Sequence, residues 1–367
     1  MSEANMEFLK REFFKYYYEN LDQLVPPGPI KNREFGFFLD KSRGMLRHKC
    51  FTNLDEFHNF VLNEVPLDIY VSAARYEDPG NRDMQEKKLI SAELFFDIDA
   101  EPTVSESEES AWVCPNCGKY DLGTEDKCPV CNSPVEYAEI VDENRLNEAL
   151  KEVKKLVEVL RSDFGIDENH ISVFFSGNRG YHVHVDQEEF TNITAEGRRE
   201  IVDYLLIQGF EEKRMMNLLK NRGFYSGDLK GVIGRIYRMV LEAGGDKTPR
   251  DKRRILKQIN EVIEEFKVKI DPVVTIDIHR LMRMPGSINS NSGMVKKRIR
   301  LQDLSSFNPL KDAVALGEGE TVLKVKAVPR FNLGGKSFGP FKDEEVELPA
   351  YAAAYIICKG LGEYVRR

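Results

Sequence analysis

The sequence lacks any long hydrophobic run, and it also lacks an excess of positive charge. None of its apolar stretches approaches the roughly 18 residues of a membrane-spanning helix, and residues 1–10 do not resemble a signal peptide. We therefore expect a cytoplasmic protein without a membrane partner. Because the net charge is −8, any contact with nucleic-acid phosphates must come from local basic patches, bound metal ions or a partner subunit.

Cysteine is also scarce, with six residues in a chain of 367, and four of the six are clustered. The four form two C-x2-C pairs, each followed by a residue that favours a turn: Cys114 and Cys117 before Gly118, and Cys128 and Cys131 before Asn132. Four thiolates at this spacing can bind one Zn²⁺ tetrahedrally, which leaves no open position and indicates a structural site. Two disulfides are the alternative, and they fit a cytoplasmic chain poorly.

The first of three motifs places two carboxylates on an apolar strand. Residues 93–99 read E-L-F-F-D-I-D. Because alternate side chains of a strand share a face, Asp97 and Asp99 stand side by side while the even-numbered apolar residues face the core. Adjacent carboxylates raise each other's pKa unless a cation lies between them. The pattern fits either the polar end of a strand or a divalent-metal site.

The second motif is a predicted hairpin, I-S-V-F-F-S-G-N-R-G-Y-H-V-H-V, at residues 171–185. Its turn contains two glycines, which allow backbone amides to approach an anion, and Ser176 and Arg179, whose polar groups suit phosphate oxygens. His182 and His184 alternate with apolar residues and so share one face of the second strand. An ordinary hairpin with a surface arginine is the alternative, and the two histidines are also compatible with a second zinc site.

The third motif, D-P-V-V-T-I-D-I-H-R-L-M-R-M-P-G-S-I-N-S-N-S-G, covers residues 271–293. Asp271 precedes a proline, which favours extended backbone. We expect Thr275 to cap a short helix and residues 277–284 to form a turn that brings Arg280 and Arg283 together. Taken alone, the motif also fits a capped helix with surface arginines.

The remaining pattern predicts strands dispersed among helices. We expect strands at 35–39, 45–51 and 69–74, and helices within 1–25 and at 54–64, 143–162, 194–221, 250–268 and 350–367. The acidic segment 101–110 is expected to be a solvated linker, and 223–250 a glycine-rich basic connection. This order predicts an α/β or α+β fold with a mixed, mostly antiparallel sheet flanked by helices.

Together, the motifs resemble those of the catalytic small subunit of the archaeal and eukaryotic replicative DNA primase. The resemblance rests on the order of the D-I-D strand, the four cysteines, S-G-N-R-G-Y-H, and the run from D-P-V-V-T to R-M-P-G-S. It extends to Y-V-S-A-A-R-Y at 70–76 and L-P-A-Y-A-A-A-Y at 348–355, and so covers nearly the whole chain. It implies a primase catalytic domain over 1–367, with a zinc-binding insertion at 101–140 and a helical insertion at 190–265.

The resemblance implies an activity, the template-directed synthesis of short RNA or DNA primers from nucleoside triphosphates on single-stranded DNA during replication. It implies that Asp97, Asp99 and Asp271 are catalytic and bind two Mg²⁺ or Mn²⁺ ions, hard cations that prefer oxygen ligands. It assigns nucleotide contacts to six further residues: Arg47, Ser176, Arg179, His182, Arg283 and Asn289.

The sequence departs from the family pattern in one place. Shortly after P-G-S the family usually has a histidine and then a lysine and a threonine, whereas this chain has Asn289, Asn291 and Ser292. Asparagine donates hydrogen bonds but carries no charge. Nucleotide binding is therefore weaker there, or Lys296 or Arg298 compensates.

The resemblance also implies partners: an archaeal primase large subunit that carries an iron–sulfur cluster, a single-stranded DNA template, and NTPs or dNTPs. This chain has no further cysteine cluster for such a centre, which is consistent with that division of roles. Two other hypotheses remain open. A metal-dependent phosphodiesterase or nuclease would use the same carboxylates with water as nucleophile, but leaves the basic hairpin unexplained. A zinc-ribbon scaffold would explain only residues 114–131.

Overall fold

Two four-stranded sheets form the centre of the fold in the computed structural model, which describes residues 1–100, 110–211, 215, 230–244 and 252–366. Their strand orders are β12–β3–β1–β2 and β13–β10–β11–β6, and their neighbouring strands pair antiparallel. The strands of these two sheets are β1 (Phe35–Phe38), β2 (Leu46–Lys49), β3 (Asp68–Ser72), β6 (Leu94–Asp99), β10 (Ile171–Phe175), β11 (Gly180–Val185), β12 (Leu281–Arg283) and β13 (Lys297–Ile299). The predicted fold class is confirmed, with the strands divided between sheets.

Smaller sheets surround this centre. Their strands are β4 (Ala74–Tyr76), β5 (Leu89–Ala92), β7 (Ala111–Val113), β8 (Tyr120–Leu122), β9 (Glu136–Tyr137), β14 (Glu320–Val328), β15 (Phe331–Leu333), β16 (Lys336–Phe338), β17 (Phe341–Pro349) and β18 (Gly362–Tyr364). The described helices are α1 (Glu3–Glu19), α2 (Leu54–Glu64), α3 (Glu143–Ser162), α4 (Glu188–Thr191), α5 (Ala195–Leu205), α6 (Gly231–Gly244), α7 (Lys252–Phe266), α8 (Pro272–Ile276), α9 (Pro309–Asp312) and α10 (Ala350–Cys358). None of the described helices is long and apolar enough to cross a membrane.

Helix α3 shows how the sequence pattern produces the core. Asp142 caps it by accepting a hydrogen bond from the backbone N–H of Asn144, and the helix ends at Ser162 as predicted. Its apolar stripe packs into the main core with α1, α10 and the central strands. Each fully buried leucine of that stripe contributes on the order of 1.5–3 kcal/mol, so the stripe is sufficient to hold the helix in place. The buried stripe consists of Leu146, Leu150, Val153, Leu156, Val157 and Leu160.

The region predicted as a helical insertion contains α5 and α6 and most of α7 among its described residues. Helices α6 and α7 contribute to a small apolar cluster of their own, in which Ile236 and Ile259 are fully buried. Arg235 joins this cluster to the end of α3, because both of its terminal nitrogens donate to the Asp163 carboxylate at 2.6 Å. The expected linker at 101–110, except Ser110, and much of 212–251 lie outside the described residues.

The last predicted helix is shorter than expected. Helix α10 ends at Cys358 rather than continuing to residue 367, and Gly360 follows with a φ of +75°. The backbone N–H of Leu361 donates to the carbonyl of Ile356 at 3.0 Å, which satisfies one of the helix's last carbonyls. The chain then forms β18, which pairs with β14. Helical periodicity did not reveal this stop, because glycine in the left-handed conformation terminates the helix.

The third motif also differs locally from its prediction. Asp271, not Thr275, caps α8, and Thr275 is fully buried inside the helix. Asp277 ends the helix, and the expected turn contains a strand, β12, which pairs with β3. The aspartate–proline pair explains the difference, because aspartate is a strong N-cap residue and proline is favoured at the first helical position.

Candidate active site

The second central sheet brings the first two motifs together. Strands β6 and β11 pair so that Asp97 lies opposite His182 and Asp99 lies opposite Gly180. Gly180 is required by this close approach, because a Cβ atom there would lie 2.5 Å from Asp99 Oδ1. The Asp97 side chain is 22% exposed and that of Asp99 is 52% exposed, while the even-numbered residues of β6 are buried.

Asp271, which belongs to the third motif, lies close to Asp97. Its backbone N–H donates to the carbonyl of Asp97 at 3.0 Å, so the start of α8 is anchored to β6. Asp271 Oδ1 accepts hydrogen bonds from the N–H groups of Val273 and Val274 at 2.9 and 3.4 Å. Both cap bonds use the same oxygen, and Oδ2 takes part in neither. One carboxylate can therefore cap the helix and still offer an oxygen to a ligand.

The three carboxylates repel one another. Burial raises the pKa of Asp97 to about 7, and the nearby charges of Asp99 and Asp271 add to the shift. Burial also raises the pKa of Asp99, although Arg179 opposes that shift. Asp97 Oδ1 is buried and has no hydrogen-bond partner in the described part of the chain. An unpaired buried oxygen beside two further anionic groups is the environment that a divalent cation would neutralise, so the donor set fits Mg²⁺ or Mn²⁺.

The hairpin turn lies beside these carboxylates. Ser176 Oγ closes the turn by accepting from the N–H of Gly180 at 3.1 Å. The Arg179 guanidinium forms ion pairs with Glu139 at 3.2 Å and Asp99 at 3.5 Å, and its side chain is 38% exposed. His182 Nε2 lies 3.5 Å from Asp97 Oδ1, and burial lowers the pKa of His182 well below its usual value. The turn therefore presents a cationic fork and a neutral imidazole next to the acidic cluster.

The second histidine of the hairpin has a different role. His184 Nδ1 lies 3.2 Å from Glu93 Oε2, and His184 Nε2 lies 3.0 Å from Lys296 Nζ. Since the lysine can only donate, Nδ1 carries the proton and donates to Glu93. Glu93 is itself paired with the buried Arg33. These polar contacts hold the His184 side chain of β11 in place. Among the described residues, no group of candidate metal ligands includes His182 or His184.

Arg283 and Asn289 line the same cleft, and both side chains bond to neighbouring residues of it. The Arg283 guanidinium is buried and donates to Asp68 at 2.6 Å and to the Tyr70 hydroxyl at 3.0 Å. Asn289 Nδ2 lies 3.5 Å from the carbonyl of Ser176, so the P-G-S loop touches the hairpin turn. The charge of Arg283 is thus already balanced by a buried carboxylate.

Three predicted cations lie elsewhere. Arg47 is on β2, where its guanidinium pairs with Glu34 at 3.1 Å, and it is not among the residues that line the cleft. Lys296 is fully buried and donates to the carbonyl of Arg283 at 2.9 Å. Arg298 donates to Ser172 Oγ at 3.1 Å. Neither Lys296 nor Arg298 lines the cleft, although the charge of Lys296 lowers the pKa of Asp97.

The cleft has a volume of about 720 Å³ and includes residues that the motifs did not identify. Arg280 comes from the third motif and Asn178 from the hairpin turn, whereas the others are contributed by β3, the cysteine-containing segment and its flank, β14 and the end of α10. Their separation in sequence left no local signal. These additional residues are Tyr70, Tyr120, Tyr137, Asn178, Lys326 and Lys359.

The four cysteines form a separate, tighter cluster. Their sulfur atoms all lie within 4.8 Å of one another, and in the described part of the chain they are the one group of three or more candidate ligands that converges so closely. Gly118 and Asn132 have φ angles of +71° and +59°, as expected of the residues that end the two knuckles. The geometry is compatible with a tetrahedral, structural Zn²⁺.

Comparisons with known proteins agree with these motifs. The family model described as DNA primase small subunit matches residues 139–301. The DNA primase small subunit PriS of Nitrosopumilus maritimus is 36% identical, and the alignment covers 98% of this chain and 99% of that protein. The corresponding protein of Archaeoglobus fulgidus is 35% identical over 97% of this chain and 98% of its own length.

A solved structure, the polymerase domain of Ligase D from Mycobacterium tuberculosis in complex with DNA, matches 81% of this chain and 82% of its own with 11% identity and a TM-score of 0.38. The family assignment rests instead on the two relatives, which are aligned along almost their whole length. The chain belongs to the DNA primase small-subunit family.

Proposed function

We propose that the chain is the catalytic subunit of a DNA primase, which synthesises short RNA primers, and also DNA primers, from nucleoside triphosphates on single-stranded DNA. The observation that carries this proposal is the convergence of three motifs in one cleft. Asp97 and Asp99 of β6, Arg179 and His182 of the adjacent hairpin, and Arg280 and Arg283 of the third motif line this cleft. Asp271 does not itself line the cleft, but its backbone N–H donates to the carbonyl of Asp97.

In this proposal Asp97, Asp99 and Asp271 hold the catalytic Mg²⁺ or Mn²⁺ ions. When bound, two such ions stabilise the attacking hydroxyl and the pyrophosphate leaving group as the new phosphodiester bond forms. The backbone contact between Asp271 and Asp97 holds the main chains of these two residues together before any ligand binds. That preorganisation reduces the reorganisation needed at the moment of reaction.

The hairpin residues bind and orient the nucleotide. Arg179 is the cation best placed to move from Glu139 to a phosphate oxygen, because both of its carboxylate pairs are partly solvent-exposed. His182 is neutral near pH 7, so it can donate one hydrogen bond to a phosphate oxygen without adding charge. Ser176 maintains the turn that presents both side chains.

The subunit name of the relatives supports a large-subunit partner for this chain, and we propose that this partner carries the iron–sulfur cluster and helps to bind the template. A helper of this kind is physically reasonable, because a net charge of −8 opposes binding of a DNA strand. The four-cysteine cluster would hold a structural Zn²⁺ and would not contact the reacting phosphate.

The test is incorporation of labelled NTPs and, in parallel, dNTPs on single-stranded DNA, with Mn²⁺ and without a primer. Primers that depend on both template and Mn²⁺ are expected from the wild-type chain and not from Asp97→Asn. A metal-dependent phosphodiesterase would instead cleave a labelled DNA strand and leave the nucleotides unused, and a scaffold would do neither.

A further inference from the structure

Lys359 is brought into the cleft by the end of helix α10. It is the residue immediately after Cys358, and the left-handed Gly360 stops the helix there. Lys359 lines the same cleft as Asp97 and Arg179. Its Nζ donates to Asn178 Oδ1 at 3.2 Å and lies 5.5 Å from the centroid of the Tyr355 ring. Lys359 is therefore bonded to the S-G-N-R-G turn, although the two lie about 180 residues apart in the sequence.

Lys359 forms no direct ion pair with the described residues. Arg179 and Arg283 are each paired with carboxylates, whereas no carboxylate oxygen in the described ranges lies within 4.0 Å of Lys359 Nζ. Its one hydrogen-bond acceptor there is a neutral amide oxygen. Burial lowers the pKa of Lys359 to about 8, and the charge of Glu139 offsets that shift only in part. A partly buried cation of this kind favours binding of an anion.

The neighbouring loop has no cation of its own. Residues 289–291 read N-S-N, and the loop contacts the hairpin turn through Asn289. Lys41 contacts this loop from outside the cleft, where its Nζ donates to the carbonyl of Ser290 at 2.9 Å. Its side chain is exposed and does not line the cleft. Lys359 therefore adds positive charge beside a loop segment that supplies none itself.

We propose that Lys359 binds the triphosphate chain of the incoming nucleotide, with Asn178 holding the ammonium group in place; the proposal rests on the proposed primase function. The nucleotide is favoured over the phosphates of the DNA strand for a structural reason. Asn178 belongs to the same turn as Ser176 and Arg179, so Lys359 faces the part of the cleft assigned to the nucleotide.

A purely structural role is the alternative. A lysine at the carboxyl end of a helix interacts favourably with the helix dipole, and its bond to Asn178 could simply fasten α10 to the hairpin. Such a role would affect stability and would weaken the binding of nucleotides without regard to their number of phosphates.

The test is equilibrium binding of ATP, ADP and AMP to the full chain in the presence of Mg²⁺. Four proteins are compared: wild type, Lys359→Gln, Lys359→Arg and Lys311→Gln. Lys311 is an exposed lysine outside the cleft, so its replacement removes the same charge from a different place. Because charge-assisted hydrogen bonds are strong, Lys359→Gln should weaken ATP binding roughly 10-fold or more.

ADP binding should weaken less and AMP binding should not change, Lys359→Arg should restore most of the ATP affinity, and Lys311→Gln should match wild type. Equal weakening for all three nucleotides with a lower melting temperature would overturn the proposal in favour of a structural role. Unchanged ATP affinity overturns it as well, and a loss of single-stranded DNA binding in that case would assign Lys359 to the DNA. If wild type neither binds ATP nor incorporates it, the primase proposal itself fails.

Discussion

The cysteine cluster and the carboxylate cleft are two candidate metal sites built in opposite ways. The cysteines converge within 4.8 Å of one another, and the knuckles that carry them are closed by their own backbone turns. The carboxylates come from β6 and from the start of α8, do not converge to that distance, and leave Asp97 Oδ1 without a partner. The first arrangement would complete the coordination of one Zn²⁺ ion, whereas the second would leave room for Mg²⁺ or Mn²⁺ together with a substrate.

This difference shows that donor type and spacing separate a stabilising site from a reactive one. A closed four-thiolate site contributes folding free energy and has no position for a substrate. An open carboxylate site destabilises the empty protein through repulsion, and that repulsion is relieved when cations bind. Each site should therefore respond to its own perturbation and not to that of the other.

The largest effect is expected from Asp271→Asn. Asparagine is as good an N-cap as aspartate, so α8 should persist, while a charge is lost from the proposed two-metal site. We expect primer synthesis to fall more than about 100-fold, which corresponds to ~2.7 kcal/mol of transition-state stabilisation. Steady-state incorporation assays measure the loss, and the melting temperature and DNA binding should stay close to wild type.

The matched control for that variant is Asp277→Asn. Asp277 lies at the carboxyl end of α8, and its Oδ1 accepts from the N–H of His279, a bond that asparagine can keep. We expect near wild-type incorporation and stability. An active Asp271→Asn protein beside an inactive but folded Asp277→Asn protein would reverse the assignment of the third carboxylate.

Chelation should separate the two sites without any mutation. Brief treatment with EDTA is expected to abolish incorporation, because oxygen ligands bind Mg²⁺ and Mn²⁺ reversibly, and added Mn²⁺ should restore it. Zinc content, measured by atomic absorption, should stay near one ion per chain after this brief treatment, because a closed four-thiolate site has no open position for the chelator and should exchange its ion slowly. Loss of zinc at the same EDTA concentration as loss of activity would contradict the distinction between the sites.

Replacement of Cys114 and Cys117 by serine should act on stability. Two of the four ligands disappear, so zinc should be lost and the melting temperature should fall by roughly 5–10 °C, in line with several kcal/mol of lost metal binding. Thermal unfolding and metal analysis on the same samples provide the measurement. Cys50→Ser, which alters a thiol outside the cluster, is the control and should retain its zinc. A wild-type protein without stoichiometric zinc would refute the structural-zinc interpretation.

The smallest effect is expected from Arg179→Ala. A guanidinium on a phosphate acts in both the ground state and the transition state, so KM for the incoming nucleotide should rise before kcat falls. The expected increase in KM is roughly 10-fold, from about 1.5 kcal/mol for a charge-assisted contact. Glu139→Gln, which frees Arg179 from one ion pair, should have the opposite effect or none. An unchanged KM in Arg179→Ala would indicate that the turn belongs to an ordinary hairpin whose arginine does not bind the nucleotide.

Local patterns predicted those parts of the fold whose cause is local. The apolar stripe of α3 gave its bounds of 143–162 correctly, and the helix expected at 54–64 is α2. The turn residues Gly118 and Asn132 ended the two knuckles as expected. The prediction of a helix over 350–367 was wrong beyond Cys358. The cap of α8 was predicted at Thr275, whereas in the structure it is Asp271. Both errors came from turns and caps that compete with helical periodicity.

The sequence by itself determined the side-chain chemistry and the short-range geometry: two carboxylates on one strand face, a glycine-bounded turn with Arg179, and two cysteine knuckles. These follow from the strand repeat and from turn residues a few positions apart. Only the tertiary structure decided that Asp271 is fastened to Asp97, that Arg47 and Lys296 lie outside the cleft, and that Lys359 lies inside it. Such relations join residues tens to hundreds of positions apart, and they depend on how sheets and helices pack to bury their apolar faces, which no local pattern records.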